Sequence, residues 1–527
     1  MDLTGQITNC NTISPEQLKP ELVRKLPLDF LKAQCAVPLL LENGQVAIAL
    51  ADPLNLEAYD AISSVLARPC TRLICPASEI EQAISRCYYQ NTPVTDEQND
   101  DEYPSDDTAL DNTSVQTHAE DLLNIANKAP VIKLVNKIFF HAVHSRASDI
   151  HIEPYENRVR IRFRVDGVLH DVFTLPKQHS AALLSRLKIM ANLNIAERRL
   201  PQDGQSRIKI AQNLVDIRIS VIPTSGGERV VLRLLDKAAG KLSLNEIGLS
   251  HDLLNTFKNL IGLTHGIILL TGPTGSGKTT TLYATLNELN CQERNILTVE
   301  DPIEYQLPGI GQMQVKPKIN LTFANCLRHI LRHDPDVIMI GEIRDVETAQ
   351  IAIQASLTGH LVLSTLHTND SASAITRLID ISIEPYLISS SVVAVMAQRL
   401  LRVICPHCKK PYKPNEQLLS LLGEDRASLS DNTFYKGIGC KNCLKTGYLG
   451  RTGIFELLVI DDDIRKLIGK GCSSNVVKDV AVEKGLITLQ ESGLRKALAS
   501  ETSLEEVCRV TQDSTQNNIG VLESVGA

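Results

Sequence analysis

The run Gly272-Pro273-Thr274-Gly275-Ser276-Gly277-Lys278-Thr279-Thr280 constrains this chain more than any other feature. It follows a short apolar stretch, Gly266 to Thr271, and precedes a helix-like run from Thr281 to Leu289. The pattern G-x-x-x-x-G-K-[ST] therefore stands in the strand, loop and helix context that its chemistry needs. Its glycines let backbone N–H groups converge on phosphate oxygens at a helix N-terminus. Lys278 is expected to reach the β- and γ-phosphates and the Thr279 hydroxyl to ligate Mg²⁺, which makes ATP with Mg²⁺ the expected ligand pair.

Further polar residues end other strand-like runs of the same block. Asp336 to Ile340 leads into Gly341-Glu342, where a P-loop enzyme usually carries Asp, so Glu342 is the expected metal-side acid. Ile296 to Val299 leads into Glu300-Asp301-Pro302-Ile303-Glu304, any carboxylate of which could polarise an attacking water. His360 and His367 flank a third run, Leu361 to Leu366.

Around this block the length of 527 residues, at about 100–200 per domain, predicts several domains. Residues 1–91 read as a small α/β unit with two strands around an Asn-Gly turn. Residues 92–121 are acidic and read as a solvated linker. Residues 122–240 form a second α/β unit, in which Arg158, Arg160, Arg162 and Arg164 alternate with apolar residues and so share one strand face, expected to be solvated beside acidic neighbours. The P-loop block spans 241–400, a cysteine module 401–445, a helical segment 446–510 and a polar tail 511–527.

Four of the 13 cysteines form two C-x-x-C pairs, Cys405/Cys408 and Cys440/Cys443, a spacing suited to two knuckles sharing one tetrahedral Zn²⁺. The rival readings are a redox pair or an iron–sulfur cluster, and four thiolates with no redox fold around them weigh against both. Lysines 409, 410, 413, 436 and 441 would permit nucleic-acid binding by such a module. The net charge of −7 and the 4% aromatic content count against that class, so no nucleic-acid partner is expected. No run approaches the roughly 18 apolar residues of a membrane span, and the first residues form no signal peptide, so a cytoplasmic location is expected.

In order, the phosphate loop, Glu300 to Tyr305, Gly341-Glu342-Ile343-Arg344-Asp345 and Thr358 to His367 resemble the motifs of the secretion-superfamily ATPases, and most closely those of the type II secretion assembly ATPase (GspE) family. The resemblance covers about 120–500 and includes Ala196 to Gly204 and Gly227 to Asp236. It implies a multidomain α/β protein: a RecA-like P-loop ATPase core, a preceding PAS-like α/β domain, a small N-terminal α/β domain and a tetracysteine zinc insertion. It further implies a homo-hexameric ring. Carried over, Glu304 is the general base with Glu300 as competitor, Glu342 orients the Mg²⁺ shell, His367 senses the γ-phosphate with His360 nearby, and Arg218 and Arg233 act as arginine fingers.

The function implied is ATP hydrolysis that powers pseudopilus assembly and protein export. The motor would sit peripherally at the cytoplasmic face of the inner membrane. Its partners would be a GspL-like protein, docked through the N-terminal domain, and a polytopic GspF-like protein. The alternative within the superfamily is a type IV pilus extension ATPase; relatives that bind cyclic di-GMP use an Arg-Leu-Gly-type repeat, which residues 1–90 lack. A non-hydrolysing ATP-gated adaptor is the rival from another class, motivated by the missing Walker B Asp.

Overall fold

The computed structural model describes residues 8–85 with short gaps, 129–235 apart from 211–212, and 242–512 apart from 416–417 and 420–431. The acidic linker expected at 92–121 and nearly all of the tail expected at 511–527 lie outside the described residues. The chain divides into two compact units, Met1–Arg164 with Leu169–Leu234, and Val165–Val168 with Leu235–Ala527.

Within the first unit, the expected hairpin pairs Ala36–Leu40 with Val46–Leu50. The turn carries Gly44 at φ 79°. Two further strands, Thr8–Asn9 and Cys70–Ile74, complete a four-stranded sheet beyond what the pattern predicted. Helices Leu56–Leu66 and Ala77–Ser85 contribute Ala58, Ile62, Ile80 and Ile84 to the core it shares with the central strands.

The same unit holds a six-stranded sheet whose strand Arg158–Val165 alternates as predicted: Val159, Ile161, Phe163 and Val165 are buried, and the arginines face the other way. The central strand Ala147–Pro154 lays Asp149, His151 and Glu153 among those arginines. Glu153 is bound by Arg160 at 3.1 Å and by Arg162 and Arg229 at 2.6 Å, and Asp149 by Arg233 at 3.1 Å. Burial pushes the Glu153 carboxyl up, but Arg162 and Arg160 outweigh it and hold it below the usual range.

The second unit is built on a seven-stranded sheet. Its strands Gly311–Gln314, Ile296–Glu300, Val337–Ile340, Leu361–Leu366, Gly266–Thr271 and Val392–Ile404 run parallel in that spatial order, and Tyr448–Val459 closes the edge antiparallel. Helices cover both faces, which is why the central strands are apolar at nearly every position. Ile267 and Leu269 pack on one side against helices Phe323–Ile330 and Val346–Leu357; Ile268 and Leu270 pack on the other against His251–Ile261 and Lys278–Leu289. Each such buried Leu or Ile contributes about 1.5–3 kcal/mol.

The segment 446–510 departs from the helical expectation. Its first part is the 12-residue strand Tyr448–Val459, paired along Val392–Ile404, and only then come four helices from Asp462 to Thr511. The cysteine module is therefore an excursion between two paired strands of the ATPase sheet. Among the described residues, no helix is long and apolar enough to cross a membrane.

The final helix, Leu504–Thr511, is pinned to this hairpin by Glu506, whose side chain is fully buried. Arg402 donates to it at 2.8 Å and Arg509 at 2.6 and 2.7 Å, while the Arg402 guanidinium lies 4.1 Å from the Tyr448 ring centre. Burial alone would raise the Glu506 carboxyl, yet Arg509 and Arg402 hold it below the usual range. A depressed carboxylate contributes stability above its unfolded pKa and loses it as pH falls through the folded value. Glu506→Gln is therefore expected to lower stability by about 3 kcal/mol near neutrality, as for a broken buried ion pair, with the difference shrinking below about pH 4.5. Urea unfolding of both proteins across that range checks this; a pH-independent difference would contradict it.

Candidate functional site

Parallel register brings four strand ends to one edge of the seven-stranded sheet. Thr271 pairs with Leu366, Ile340 with Ser364 and Val299 with Ile340, so Gly272, His367, Glu342 and Glu300 follow at neighbouring exits. The Ser364 and Thr365 hydroxyls donate to the Ile340 and Gly341 carbonyls at 2.9 and 2.7 Å, which fixes the Glu342 exit against the His367 exit. Ligands of open α/β sheets bind at this carboxyl edge.

The phosphate loop leaves the sheet here and enters helix Lys278–Leu289. Gly277 caps that helix at φ 90°, a left-handed conformation that favours glycine, and a Cβ there would come within 2.8 Å of Gln398 Nε2. No side chain caps the helix, which leaves its first N–H groups for an anion. The Ser276 hydroxyl is buried and has no hydrogen-bond partner among the described residues. Thr279 is exposed at the mouth. An uncapped helix start, an orphaned buried hydroxyl and a lysine together fit a nucleotide's phosphates.

Lys278 is buried and donates to the carbonyls of Gly272 at 2.7 Å and Pro273 at 3.2 Å. Burial, then the neighbouring charge of Arg399, brings its ammonium down to about 8. Glu342 Oε2 lies 3.5 Å from His367 Nε2, and its Oε1 contacts Arg344. Burial and Lys278 outweigh the pull of Glu342 and hold His367 below the ordinary imidazole value, favouring the uncharged ring. Lys278, Glu342 and His367 therefore share one pocket edge.

The two competing carboxylates occupy different settings, Glu300 at the end of strand Ile296–Glu300 and Glu304 beyond it. Glu300 is buried: its Oε1 accepts from Thr298 at 2.6 Å and from Gln312 at 3.0 Å, and its Oε2 accepts from the Tyr283 hydroxyl. Glu304 is half-buried on the loop that follows, with its backbone N–H 3.3 Å from the same hydroxyl. His360 corrects an expectation. It stands at the start of strand Leu361–Leu366, at the opposite end from His367, where its ring contacts the Ala355 carbonyl at 2.8 Å and closes helix Val346–Leu357. The six strand residues Leu361–Leu366 separate it from His367 and the phosphate-loop edge.

Sequence reasoning missed Gln398 and Arg399, which lie beside the loop because strand Val392–Ile404 continues past Thr271. Gln398 accepts from Thr281 at 2.9 Å, and Arg399 donates to the Asn369 carbonyl at 2.7 Å, bracing the segment after His367. Only the pairing of that strand with Gly266–Thr271 could have signalled them. Arg218 and Arg233 lie on the six-stranded sheet of the other unit, Arg218 opposite Gln205 and Arg233 on Asp149.

The four cysteines converge. Their sulfurs all lie within 4.8 Å of one another, with Cys405–Cys440 and Cys408–Cys443 at 3.8 Å and Cys440–Cys443 at 3.7 Å. Four ligands at a Zn–S length of about 2.3 Å put sulfurs about 3.8 Å apart, so these residues fit a closed tetrahedral site. The ribbon of Lys409–Tyr412 and Phe434–Gly437 brings the knuckles together. Gly437 and Gly447 meet back to back, leaving no room for a Cβ on either. Burial would raise the Cys443 thiol, but N–H groups of Cys440 and Gly447 outweigh it and settle it at about 7, whereas burial pushes the Cys405 thiol up and Cys408 up to about 12.

Residues 124–509 match the family described as Type II/IV secretion system protein, and residues 12–93 match the MshEN domain. The chain is 48% identical over 490 residues to Type II secretion system protein E of Pseudomonas aeruginosa, covering 93% of this chain and 97% of that one. It is 45% identical to Type II secretion system ATPase E of Vibrio cholerae, covering 95% and 99%. To the type IV pilus assembly ATPase PilB of Myxococcus xanthus it is 42% identical, covering 93% and 86%. The crystal structure of the ATPase DotB of Legionella pneumophila superposes with a TM-score of 0.54 at 22% identity over 72% of this chain and 95% of that one, a likeness of fold.

Purified protein is expected to carry about one zinc per chain, as a closed Cys₄ site holds. Cys443→Ser should bring the content measured by inductively coupled plasma mass spectrometry below half of that, with binding of a fluorescent ADP analogue unchanged. Full zinc in the variant would contradict the shared site.

Proposed function

The chain belongs to the type II/IV secretion system protein family, and from that premise we propose that it is the ATP-hydrolysing assembly motor of a type II secretion system. The convergence of Lys278, Glu342 and His367 at the mouth of an uncapped, glycine-led helix carries this reading. The type II relatives' higher identity, 48% and 45% against 42%, favours protein export over pilus extension.

In this reading Lys278 leaves its loop carbonyls for the β- and γ-phosphates of ATP, and helix N–H groups with the Ser276 hydroxyl replace phosphate hydration. Thr279 and Glu342 would hold Mg²⁺, which when bound would supply Lewis-acid stabilisation of the phosphoryl charge. Glu304 takes the proton of the attacking water, because Glu300 spends both oxygens on buried hydrogen bonds while Glu304 sits on the more open loop. Neutral His367 donates to or accepts from the γ-phosphate's surroundings without adding charge, and reports its loss after hydrolysis.

Arg218 and Arg233 complete the site from a neighbouring subunit of a closed ring, a hexamer, where they stabilise charge on the transferring phosphoryl group. Each is already exposed in part, and Arg233 is over half exposed at 56%. The ring works at the cytoplasmic face of the inner membrane, with the MshEN domain docked on the cytoplasmic part of a GspL-like protein and a GspF-like protein as platform. Zn²⁺ in the tetracysteine module is structural.

Subunit mixing tests this arrangement. Lys278→Ala lacks a phosphate site and Arg233→Ala lacks a finger, so each alone should hydrolyse ATP at under about a hundredth of the wild-type rate. Mixed before assembly, they should regain measurable turnover, because an intact loop meets an intact neighbouring arginine. Silence at every mixing ratio, or full activity of Arg233→Ala alone, would contradict the finger in trans.

A further inference from the structure

Tyr283 sits on the phosphate-loop helix five residues after Lys278, and nothing in the reaction outlined above uses it. Its ring is fully buried and meets Tyr305 edge to face with centroids 4.4 Å apart. A buried phenol needs a hydrogen-bond partner, and one would satisfy it. Tyr283 has two, one at the end of strand Ile296–Glu300 and one on the loop that follows it, which carries Glu304. Its hydroxyl donates to Glu300 Oε2 and accepts the backbone N–H of Glu304 at 3.3 Å.

The rest of the loop is braced from the other side. Gln312 donates to Glu300 Oε1 at 3.0 Å and to the Tyr305 carbonyl at 3.2 Å, and accepts the Leu307 N–H at 2.7 Å. Glu300 is the hub: a buried carboxylate cannot lose a donor cheaply, so its position is set jointly by Thr298, Gln312 and Tyr283. Burial and the facing Glu300 push the phenol far above its ordinary value, so the hydroxyl stays a donor throughout the working pH range. The chain from Glu304 N–H through the Tyr283 hydroxyl to Glu300 is polarised in one direction, which strengthens each link.

We propose that the Tyr283 hydroxyl is a positioning residue for hydrolysis, tying the helix that grips the phosphates to the loop that carries the general base. Lys278 and Tyr283 share a single rigid helix, so any displacement that nucleotide imposes on the helix start moves the hydroxyl, and with it Glu300 and the Glu304 backbone. Phosphate engagement thus reaches the base through one oxygen atom. The inference rests on the assignment of Glu304 as base.

Tyr283→Phe removes that oxygen and leaves the ring packing in place. In the full-length chain with Mg²⁺ and ATP, kcat is expected to fall about tenfold to a hundredfold, the scale of a base displaced by a fraction of an ångström to one, with affinity for a fluorescent ADP analogue within about threefold of wild type. Placed in a Glu304→Gln background, the same change should have no further effect on the residual rate, because the group it positions is gone. Gln312→Met, which loosens the other brace, should give the same signature and stands in if the phenylalanine variant does not fold. Wild-type turnover in Tyr283→Phe beside an impaired Glu304→Gln would overturn the tie alone, as would losses that multiply in the double variant. Full activity of Glu304→Gln would overturn the base assignment on which the tie rests.

Discussion

A carboxylate taken out of water at the end of a parallel sheet must be met on both oxygens, because an unsatisfied buried polar group costs several kcal/mol. Glu300 meets that demand with Thr298 from its own strand, Gln312 from the edge strand and Tyr283 from the phosphate-loop helix. The phosphate-loop helix is thereby tied to two strands that their backbones already hold in register. Gly272, Glu342 and His367 leave the sheet beside this hub, so their spacing follows from strand pairing. The site is rigid because its scaffold is hydrogen-bonded strand ends, with loops supplying only the reactive groups.

Much of this was legible in order along the chain. The phosphate loop announces itself because its glycines, lysine and threonine do one job within nine residues, between an apolar strand and a helix. The cysteine pairs were legible for the same reason, since each knuckle is local. The arginine strand alternated strictly enough to predict one buried face, and its acidic neighbours proved to be Asp149 and Glu153. What was not legible depends on pairing between distant segments. Tyr448–Val459 reads as a continuation of a helical stretch until it is seen beside Val392–Ile404, because a short apolar run fits either a buried strand or a buried helix. Arg399 and Gln398 border the phosphate loop only through the pairing of Val392–Ile404 with Gly266–Thr271. His360 and His367 look alike in sequence, yet six strand residues of extended chain put them at opposite ends of the sheet.

The cysteine module gains meaning from where it leaves the chain. It interrupts the hairpin that forms one edge of the ATPase sheet, and Glu506 with Arg402 fastens the last helix to the same hairpin. A zinc held there would shorten the effective loop between two strands that must pair, lowering the entropy of closing it. The six-stranded sheet of the other unit solves a different problem. It holds many guanidinium groups on one face by giving them two shared carboxylates, which keeps the arginines extended and partly exposed.

The central claim is that Glu304 activates water for a γ-phosphate held by Lys278, with Glu300 serving as scaffold. Rapid-quench single-turnover hydrolysis of wild type and Glu304→Gln, each saturated with ATP and Mg²⁺, tests it most directly. The account predicts that both bind ATP and only the wild type releases phosphate on the first turnover. Phosphate formed at the wild-type rate by Glu304→Gln would contradict it.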